Sequence, residues 1–225
     1  MSLPEGNSRS VGSSQEGPHR DLEKLLRRHA DHPFLKPLLD YNRRAFAAAE
    51  AAWQDWRADA PLILDAGCGV GWSTLRLAER FPDHFVLGVD QSLDRLSRGK
   101  PLPLPANAAF IRADLVDFWR LLREADIRLA RHYVLYPNPW PKIGQLARRW
   151  HGHAVFPDLL ALGGILECRS NWRIYIEEFA FAVRFLTGRV SPVEPWLPAG
   201  EPMTPFERKY LASGQALFRT QVDLD

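Results

Sequence analysis

A glycine-rich turn at residues 65–71, which reads Asp-Ala-Gly-Cys-Gly-Val-Gly, is the part of the sequence best suited to hold a ligand. It follows the apolar run Leu62–Asp65 and precedes a helical segment that starts near Ser73. Because glycine has no Cβ, such a backbone can turn sharply and approach a bound molecule closely. A dinucleotide-binding turn would need a further glycine at position 72, where the bulky indole of Trp72 would block a pyrophosphate. A glycine-rich connector without chemistry is the alternative.

Each of the next two β-like runs also leads to an aspartate. Asp90 ends the run Phe85–Asp90, and Asp114 follows the run Ala109–Ala113. A carboxylate at the end of the second strand can accept both hydroxyls of a ribose in charge-assisted hydrogen bonds. Either aspartate alone could equally cap the helix that follows it. Together with the glycine turn, they predict one ligand crevice at the carboxyl ends of three successive strands.

The elements that must position these residues alternate, from Pro61 onward, between short apolar runs and helical segments. This alternation predicts an α/β fold with a mostly parallel sheet and helices on both of its faces. Two last β-like runs, near Tyr210 and at Ala216–Val222, flank a Ser-Gly pair at 213–214. They predict an antiparallel C-terminal hairpin at the edge of the sheet.

The length of 225 residues predicts one main domain, and 46% hydrophobic residues suffice for a sizeable core. The net charge of +2 excludes a polybasic protein, and no apolar run approaches the roughly 18 residues of a membrane span. Cys68 and Cys168 are expected to be reduced thiols in a soluble, cytoplasmic protein. We expect residues 1–18 to form a disordered tail, 19–58 a helical extension and 59–225 the main domain.

Further motifs in the second half of the chain make the pattern more specific. They are Tyr-Pro-Asn-Pro-Trp-Pro-Lys at 136–142, Arg-Arg at 148–149, Gly-Gly at 163–164, Asn-Trp at 171–172 and Thr-Pro-Phe-Glu at 204–207. Together they resemble the bacterial tRNA (guanine-N7)-methyltransferases over roughly residues 20–222, and the glycine turn resembles the first motif of S-adenosylmethionine-dependent methyltransferases. The resemblance implies a Rossmann-like class I methyltransferase with a seven-stranded sheet. It also implies S-adenosylmethionine as the cofactor and a guanine of tRNA as the methyl acceptor.

The same resemblance implies roles for individual positions. The family's catalytic acid falls at Asn138, Asp90 is expected on the ribose and Asp114 near the adenine. The implied cofactor-binding residues are Asp65, Gly67, Gly69, Gly71, Asp90, Asp114 and Asn138. The implied substrate-binding residues are Lys142, Arg148, Arg149, Asn171, Thr204, Phe206 and Glu207. No metal is expected, because His151 and His153 have no carboxylate or cysteine partner at metal-binding spacing.

Two positions depart from the family, which has aspartate where this chain has Asn138 and Asn171. In the loop 144–149 only Arg148 and Arg149 keep the family's positive charge. Asparagine retains one acceptor oxygen but loses the charge, and the absence of one charge-assisted hydrogen bond costs about 1.5–3 kcal/mol. N7 of guanine has a lone pair in the plane of the ring, so methyl transfer there depends more on placement than on a base. Methyl transfer to tRNA therefore remains the expected activity.

Two other functions stay open. The segment Asn138-Pro139-Trp140 resembles, one proline short, the Asn-Pro-Pro-aromatic block of methyltransferases that act on planar amino groups. A diverged methyltransferase acting on the exocyclic amine of a nucleobase, or on a small molecule, is thus one alternative. A non-catalytic relative that binds the cofactor or RNA is the other. We expect tRNA as a partner, no membrane or metal, and a monomer or homodimer, with basic side chains neutralising phosphates.

Overall fold

A mixed β-sheet forms the centre of the protein, as seen in a computed structural model that describes residues 6–225. Its strands are β1 Leu62–Ala66, β2 Phe85–Asp90, β3 Ala108–Arg112, β4 Arg131–Leu135, β5 Ile165–Ser170, β6 Val193–Trp196 and β7 Leu217–Asp223. They lie in the order β3-β2-β1-β4-β5-β7-β6. Strands β1 to β5 pair in parallel, whereas β7 is antiparallel to both β5 and β6. The predicted α/β fold with a mostly parallel, seven-stranded sheet is confirmed.

Helices cover both faces of this sheet. They are α1 Leu22–Asp31, α2 Asp40–Arg57, α3 Trp72–Arg80, α4 Leu93–Ser97, α5 Leu115–Glu124, α6 Phe156–Ala161, α7 Arg173–Thr187 and α8 Pro205–Ala212, with the 3-10 helices Ile143–Arg148 and Trp150–Gly152. Side chains alternate along β1, so that Ile63 packs in one apolar cluster with Leu77 of α3, and Leu64 packs in the other with Phe118 of α5. Within residues 6–225, none of the helices combines the length and the apolar character needed to cross a membrane.

The predicted C-terminal hairpin is only partly right. Strand β7 is antiparallel, as expected, but its edge partner is β6 rather than a strand near Tyr210. Tyr210 belongs to α8, because the Thr204 side chain caps that helix and Pro205 occupies its first position. Strand β6 contains Pro195, which is tolerated there because an edge strand has one side without a ladder partner.

The part of the chain that precedes β1 packs against the rest of the fold. Helix α1 contacts α7, and α2 contacts α5 and β3. Residues 6–18 form no helix or strand, but Ser13 Oγ donates a hydrogen bond to the carbonyl oxygen of Pro141 at 2.7 Å. Residues 1–5 of the predicted tail lie outside the described residues. The disorder of the tail and the domain boundaries stay predictions.

Candidate active site

The glycine turn lies where β1 ends, beside the carboxyl end of β2. The Gly67 N–H donates to the carbonyl oxygen of Val89 in β2 at 2.8 Å. Gly69 has a φ of 59°, and a Cβ added there would meet no heavy atom within 4 Å. Gly71 has a φ of 83°, and a Cβ there would come within 2.3 Å of the Phe110 ring. The turn therefore has open space above Gly69, which fits a ligand that approaches the backbone closely.

Asp65, the first residue of the turn, is buried beneath it. Its Oδ2 accepts hydrogen bonds from Ser73 Oγ at 2.6 Å and from Thr74 Oγ1 at 2.7 Å. Burial raises the pKa of Asp65 to about 6, although the two hydroxyl groups lower it, and the charge of Asp90 raises it further. The carboxylate thus ties the turn to the start of α3. Its direct contact with the cofactor stays a prediction.

Replacing Asp65 by asparagine is expected to stabilise the protein at neutral pH but not in acid. Because burial raises the folded-state pKa of Asp65 from 3.8 to about 6, ionisation costs stability as the pH rises through this window and the cost persists above it. That cost is roughly 3 kcal/mol at most above pH 7, and asparagine avoids it. Thermal unfolding of both proteins from pH 4 to pH 8 measures the effect.

The matched control for this prediction is Asp59→Asn, since the side chain of Asp59 is 90% exposed just before β1. We expect its melting temperature to follow the wild type at every pH. An Asp65→Asn protein that is less stable than the wild type by the same margin throughout the range would contradict the raised pKa.

Asp90 ends β2 directly beside the glycine turn. Its Oδ2 accepts the Gly69 N–H at 3.0 Å, and its Oδ1 accepts the Ser92 N–H at 2.8 Å. Arg95 Nη1 lies 3.8 Å from Oδ2 and adds an opposite charge. An ionised carboxylate has about four acceptor positions, so both oxygens keep capacity for further donors. This arrangement fits the hydroxyl groups of a ribose.

Asp114 follows β3 and caps α5, because its Oδ1 accepts the Val116 N–H at 3.0 Å. The Asp114 N–H itself donates to Oδ1 of Asn42 at 2.9 Å. Asn42 is fully buried in α2, and its amide nitrogen also donates to Asp117 at 2.6 Å. Helix α2 therefore holds the loop at Asp114. Sequence reasoning missed Asn42, because a partner 72 residues away leaves no local pattern.

The segment 136–142, here called the proline loop, continues from the end of β4, which pairs with β1. Tyr136 and Trp140 have positive φ values of 52° and 44°, which are unusual for side chains of this size. Asn138 is exposed, and its Oδ1 accepts the Trp140 N–H at 3.3 Å. Lys142 is exposed as well. The predicted catalytic position 138 thus lies on a loop at the same edge of the sheet as the glycine turn.

The adjacent arginines 148 and 149 have opposite surroundings. Arg148 is exposed, and its guanidinium lies 4.8 Å from the centre of the Trp140 ring. Arg149 is fully buried, and its Nη1 donates to Glu178 Oε2 at 2.5 Å. Its Nε donates to the carbonyl oxygen of Trp140 at 3.2 Å. The donors of Arg149 therefore serve internal partners, and its contact with RNA stays a prediction.

Asn171 lies just after β5, at the same edge of the sheet as the proline loop. It is half-buried, and its Nδ2 donates to Oε1 of Gln215 at 2.7 Å. Gln215 Nε2 donates in turn to the carbonyl oxygen of Ser8 at 2.9 Å. The N-terminal segment therefore runs close to Asn171. A contact between Asn171 and a guanine stays a prediction.

The Thr-Pro-Phe-Glu motif begins α8, and its two polar side chains are buried. Thr204 Oγ1 accepts the Glu207 N–H at 2.9 Å. The Glu207 carboxylate, which is 0% exposed, accepts hydrogen bonds from Tyr136 OH at 2.7 Å and Arg169 Nη1 at 3.0 Å. Both groups therefore have partners within the fold, and their contacts with a substrate stay predictions. Phe206 is 48% exposed and can still face a substrate.

One further contact joins the start of α3, next to the glycine turn, to helix α8. The Trp72 ring, at the start of α3, lies 4.6 Å from the guanidinium of Arg208 in α8. The indole that argues against a dinucleotide at this turn therefore packs against the helix that carries Phe206. Within the part of the chain described here, residues 6–225, no group of three or more His, Cys, Asp or Glu side chains is arranged to hold a metal ion.

Comparison with known proteins shows which family this chain is similar to. A family model described as "Putative methyltransferase" matches residues 59–220. A tRNA (guanine-N(7)-)-methyltransferase of Nocardioides sp. is 33% identical over 236 residues, covering 89% of this chain and 91% of that protein. The tRNA (guanine-N(7)-)-methyltransferase of Treponema pallidum subsp. pallidum is 33% identical over 171 residues, covering 71% of this chain and 66% of that protein.

Solved structures show the same fold. An antibiotic-related methyltransferase has a TM-score of 0.54 at 15% identity, covering 79% of this chain and 94% of that one. The 16S rRNA methyltransferase KamB has a TM-score of 0.51 at 17% identity, covering 84% and 94% of the two chains. The family match spans most of the chain, and the turn and Asp90 fit a nucleoside cofactor. This chain therefore belongs to the S-adenosylmethionine-dependent methyltransferase family that includes the tRNA (guanine-N7)-methyltransferases.

Proposed function

We propose that this methyltransferase transfers a methyl group to N7 of a guanine in tRNA. The observation that carries the proposal is the position of the proline loop at the end of β4, directly beside β1 and its glycine turn. An acceptor held by that loop would lie next to the methyl donor, and such proximity supplies much of the rate enhancement. The named activity of the Nocardioides and Treponema relatives supports guanine N7 as the acceptor atom.

The glycine turn, Asp90 and the loop at Asp114 are the residues that would hold S-adenosylmethionine. When bound, the cofactor supplies an electrophilic methyl group on a sulfonium. The Asp90 carboxylate would accept the ribose hydroxyls while keeping its bonds to Gly69 and Ser92. Asp114, fixed by its cap and by Asn42, would lie near the adenine. Asp65 supports the turn from below.

The task of the proline loop is to place the base rather than to remove a proton. N7 of guanine already has a lone pair in the plane of the ring, so no general base is required. Positive charge develops on the ring during transfer, and nearby acceptor oxygens stabilise it. The exposed carboxamide of Asn138 has acceptor capacity beyond its bond to Trp140 and can receive a guanine N–H group. A guanine that is unstacked from the RNA can reach this loop most easily.

Exposed side chains around the loop suit an RNA partner. Lys142 and Arg148 are exposed and can neutralise phosphates, which gives affinity without sequence preference. Phe206 presents an exposed aromatic face on which a base can stack. We expect the reaction to take place in the cytoplasm, where tRNA is present. We also expect the protein to be a monomer or a homodimer.

Methylation of an exocyclic amine is the second candidate. The observation that favours it is the carboxamide at position 138, because an amide oxygen accepts from an amino group without the charge that the family's aspartate would bring. In that chemistry the neighbouring Trp140 ring would stack on the base. The two candidates differ in the atom that is methylated.

The experiment that separates them uses an unmodified tRNA transcript, isotopically labelled S-adenosylmethionine and mass spectrometry of the product nucleosides. We expect labelled 7-methylguanosine, because the proline loop needs only to place N7 in line with the methyl group. A nucleoside labelled on an exocyclic amine would support the second candidate. No labelled nucleoside, with cofactor binding intact, would contradict both.

A further inference from the structure

A buried ionic cluster around Glu178 of α7 joins distant parts of the chain. Glu178 is 0% exposed, and its Oε2 accepts hydrogen bonds from Arg149 Nη1 at 2.5 Å and His151 Nε2 at 2.8 Å. Its Oε1 accepts the His19 N–H at 2.8 Å and the side-chain amide of Gln15. A buried charge is kept only when it is paired and hydrogen-bonded. One carboxylate therefore holds the segment after the proline loop and the N-terminal segment to α7.

Arg149 links this cluster to the proline loop. Its three nitrogens donate to three parts of the chain: Nη1 to Glu178, Nη2 to Gln15 Oε1 at 3.0 Å, and Nε to the carbonyl oxygen of Trp140 at 3.2 Å. The guanidinium also lies 4.8 Å from the centre of the Trp172 ring, which orients its plane. Because the donors of a guanidinium form a rigid fork, fixing two of them fixes the direction of the third.

Trp140 is the residue through which the cluster reaches position 138. Its carbonyl oxygen accepts from Arg149, and its N–H donates to Oδ1 of Asn138 at 3.3 Å. Its φ of 44° is a strained conformation for a bulky side chain, and such conformations persist only where the surroundings hold them. The contact with Arg149 is thus part of what holds the backbone beside Asn138.

We propose that Glu178 is a positioning residue for the methyl acceptor, because it holds Arg149, which fixes the Trp140 peptide and with it the Asn138 side chain. The inference rests on the proposed function, which places the acceptor at Asn138. Gln15, bound to both Glu178 and Arg149, makes the N-terminal segment part of the same support. The implied site residues include neither Glu178 nor Gln15.

Two variants separate this role from simple stability. Arg149→Lys keeps a positive charge for Glu178 but cannot donate to three parts of the chain in the geometry of the fork. Glu178→Gln keeps the shape of the side chain but leaves the buried Arg149 without its counter-charge. The matched control is Glu177→Gln, because Glu177 is the next residue along α7 and pairs with Arg173 at 2.8 Å near the surface.

The measurements are methyl transfer to tRNA, affinity for S-adenosylmethionine, and amide hydrogen exchange in the proline loop. We expect kcat to fall about 10- to 100-fold in both variants, since small misplacements of an acceptor are costly. The dissociation constant of the cofactor should stay within about twofold, because the glycine turn is untouched. The control should match the wild type in all three measurements.

Hydrogen exchange gives a readout that does not depend on activity. The prolines of the loop have no N–H, so exchange within 137–142 reports on Asn138, Trp140 and Lys142 alone. We expect faster exchange there in Arg149→Lys and Glu178→Gln, and no change in Glu177→Gln.

A folded Arg149→Lys protein with wild-type kcat and wild-type exchange in the loop would overturn the proposal. If Glu178→Gln does not fold, Arg149→Lys and Gln15→Ala test the positioning role. Arg149→Lys keeps a positive charge beside Glu178, and Gln15→Ala keeps the ion pair of Arg149 and Glu178. If the wild type methylates no RNA, the proposed function fails separately. The exchange comparison then still determines whether Glu178 positions the loop.

Discussion

Replacing Asp90 by alanine is expected to weaken the binding of S-adenosylmethionine by about 100-fold or more. Each charge-assisted hydrogen bond to a ribose hydroxyl contributes roughly 1.5–3 kcal/mol, and about 1.4 kcal/mol corresponds to a factor of ten in Kd. Alanine also leaves the N–H groups of Gly69 and Ser92 without their acceptor. The glycine turn would therefore be deprived of a ligand-binding group and of an internal support.

Isothermal titration calorimetry of the purified variant measures this loss. The matched control is Asp94→Ala, since Asp94 lies nearby on α4, is 74% exposed and pairs with Arg98 at 2.6 Å. We expect the control to bind the cofactor as the wild type does. An Asp90→Ala protein that binds S-adenosylmethionine within about threefold of the wild type would remove Asp90 from the cofactor site.

Glu207→Ala is expected to lower the free energy of unfolding by about 3–5 kcal/mol, because truncating one partner of a buried ion pair leaves the other charge uncompensated. Arg169 is 2% exposed and would keep only Glu167, which lies 2.6 Å away. The Tyr136 hydroxyl and the Trp196 indole N–H would lose an acceptor as well. Residues at the ends of β4, β5 and β6 all donate to this carboxylate, so its loss weakens the packing of three strands.

Urea unfolding compares this variant with Glu201→Ala, whose parent side chain is 86% exposed and pairs with Arg76 at 2.7 Å. The control is expected to change stability by less than about 1 kcal/mol, as exposed ion pairs usually do. If Glu207→Ala lowered the free energy of unfolding by equally little, the carboxylate would not be part of the core. It would then be available to a substrate, as the sequence motif suggests.

The central strands are predictable from sequence because burial on both faces makes each of them a short apolar run. Strand β2 is predicted at Phe85–Asp90 and lies there, and every one of its residues is buried. The run near Tyr210 predicts a strand, yet it lies in α8. The spacing of Thr204 and Glu207, with Pro205 between them, is typical of a helix start and could have indicated this.

Residue types show where chemistry is available but not which side chains are exposed. Asp90 and Arg148 lie where the sequence predicts them, at the open edge of the sheet or on the surface. Arg149 is predicted to contact RNA but is buried, because its partner Glu178 lies 29 residues further along the chain. No local spacing connects two such residues, so only the fold could show that the arginine holds the proline loop.

The most direct measurement of methyl transfer to guanine N7 compares two tRNA transcripts that differ only in the atom at position 7 of their guanines. One contains guanosine and the other 7-deazaguanosine, in which a carbon replaces N7. With labelled S-adenosylmethionine, we expect 7-methylguanosine from the first transcript and no methyl transfer to the second. Equal transfer to both transcripts would show that the acceptor is another atom and would contradict guanine-N7 methylation.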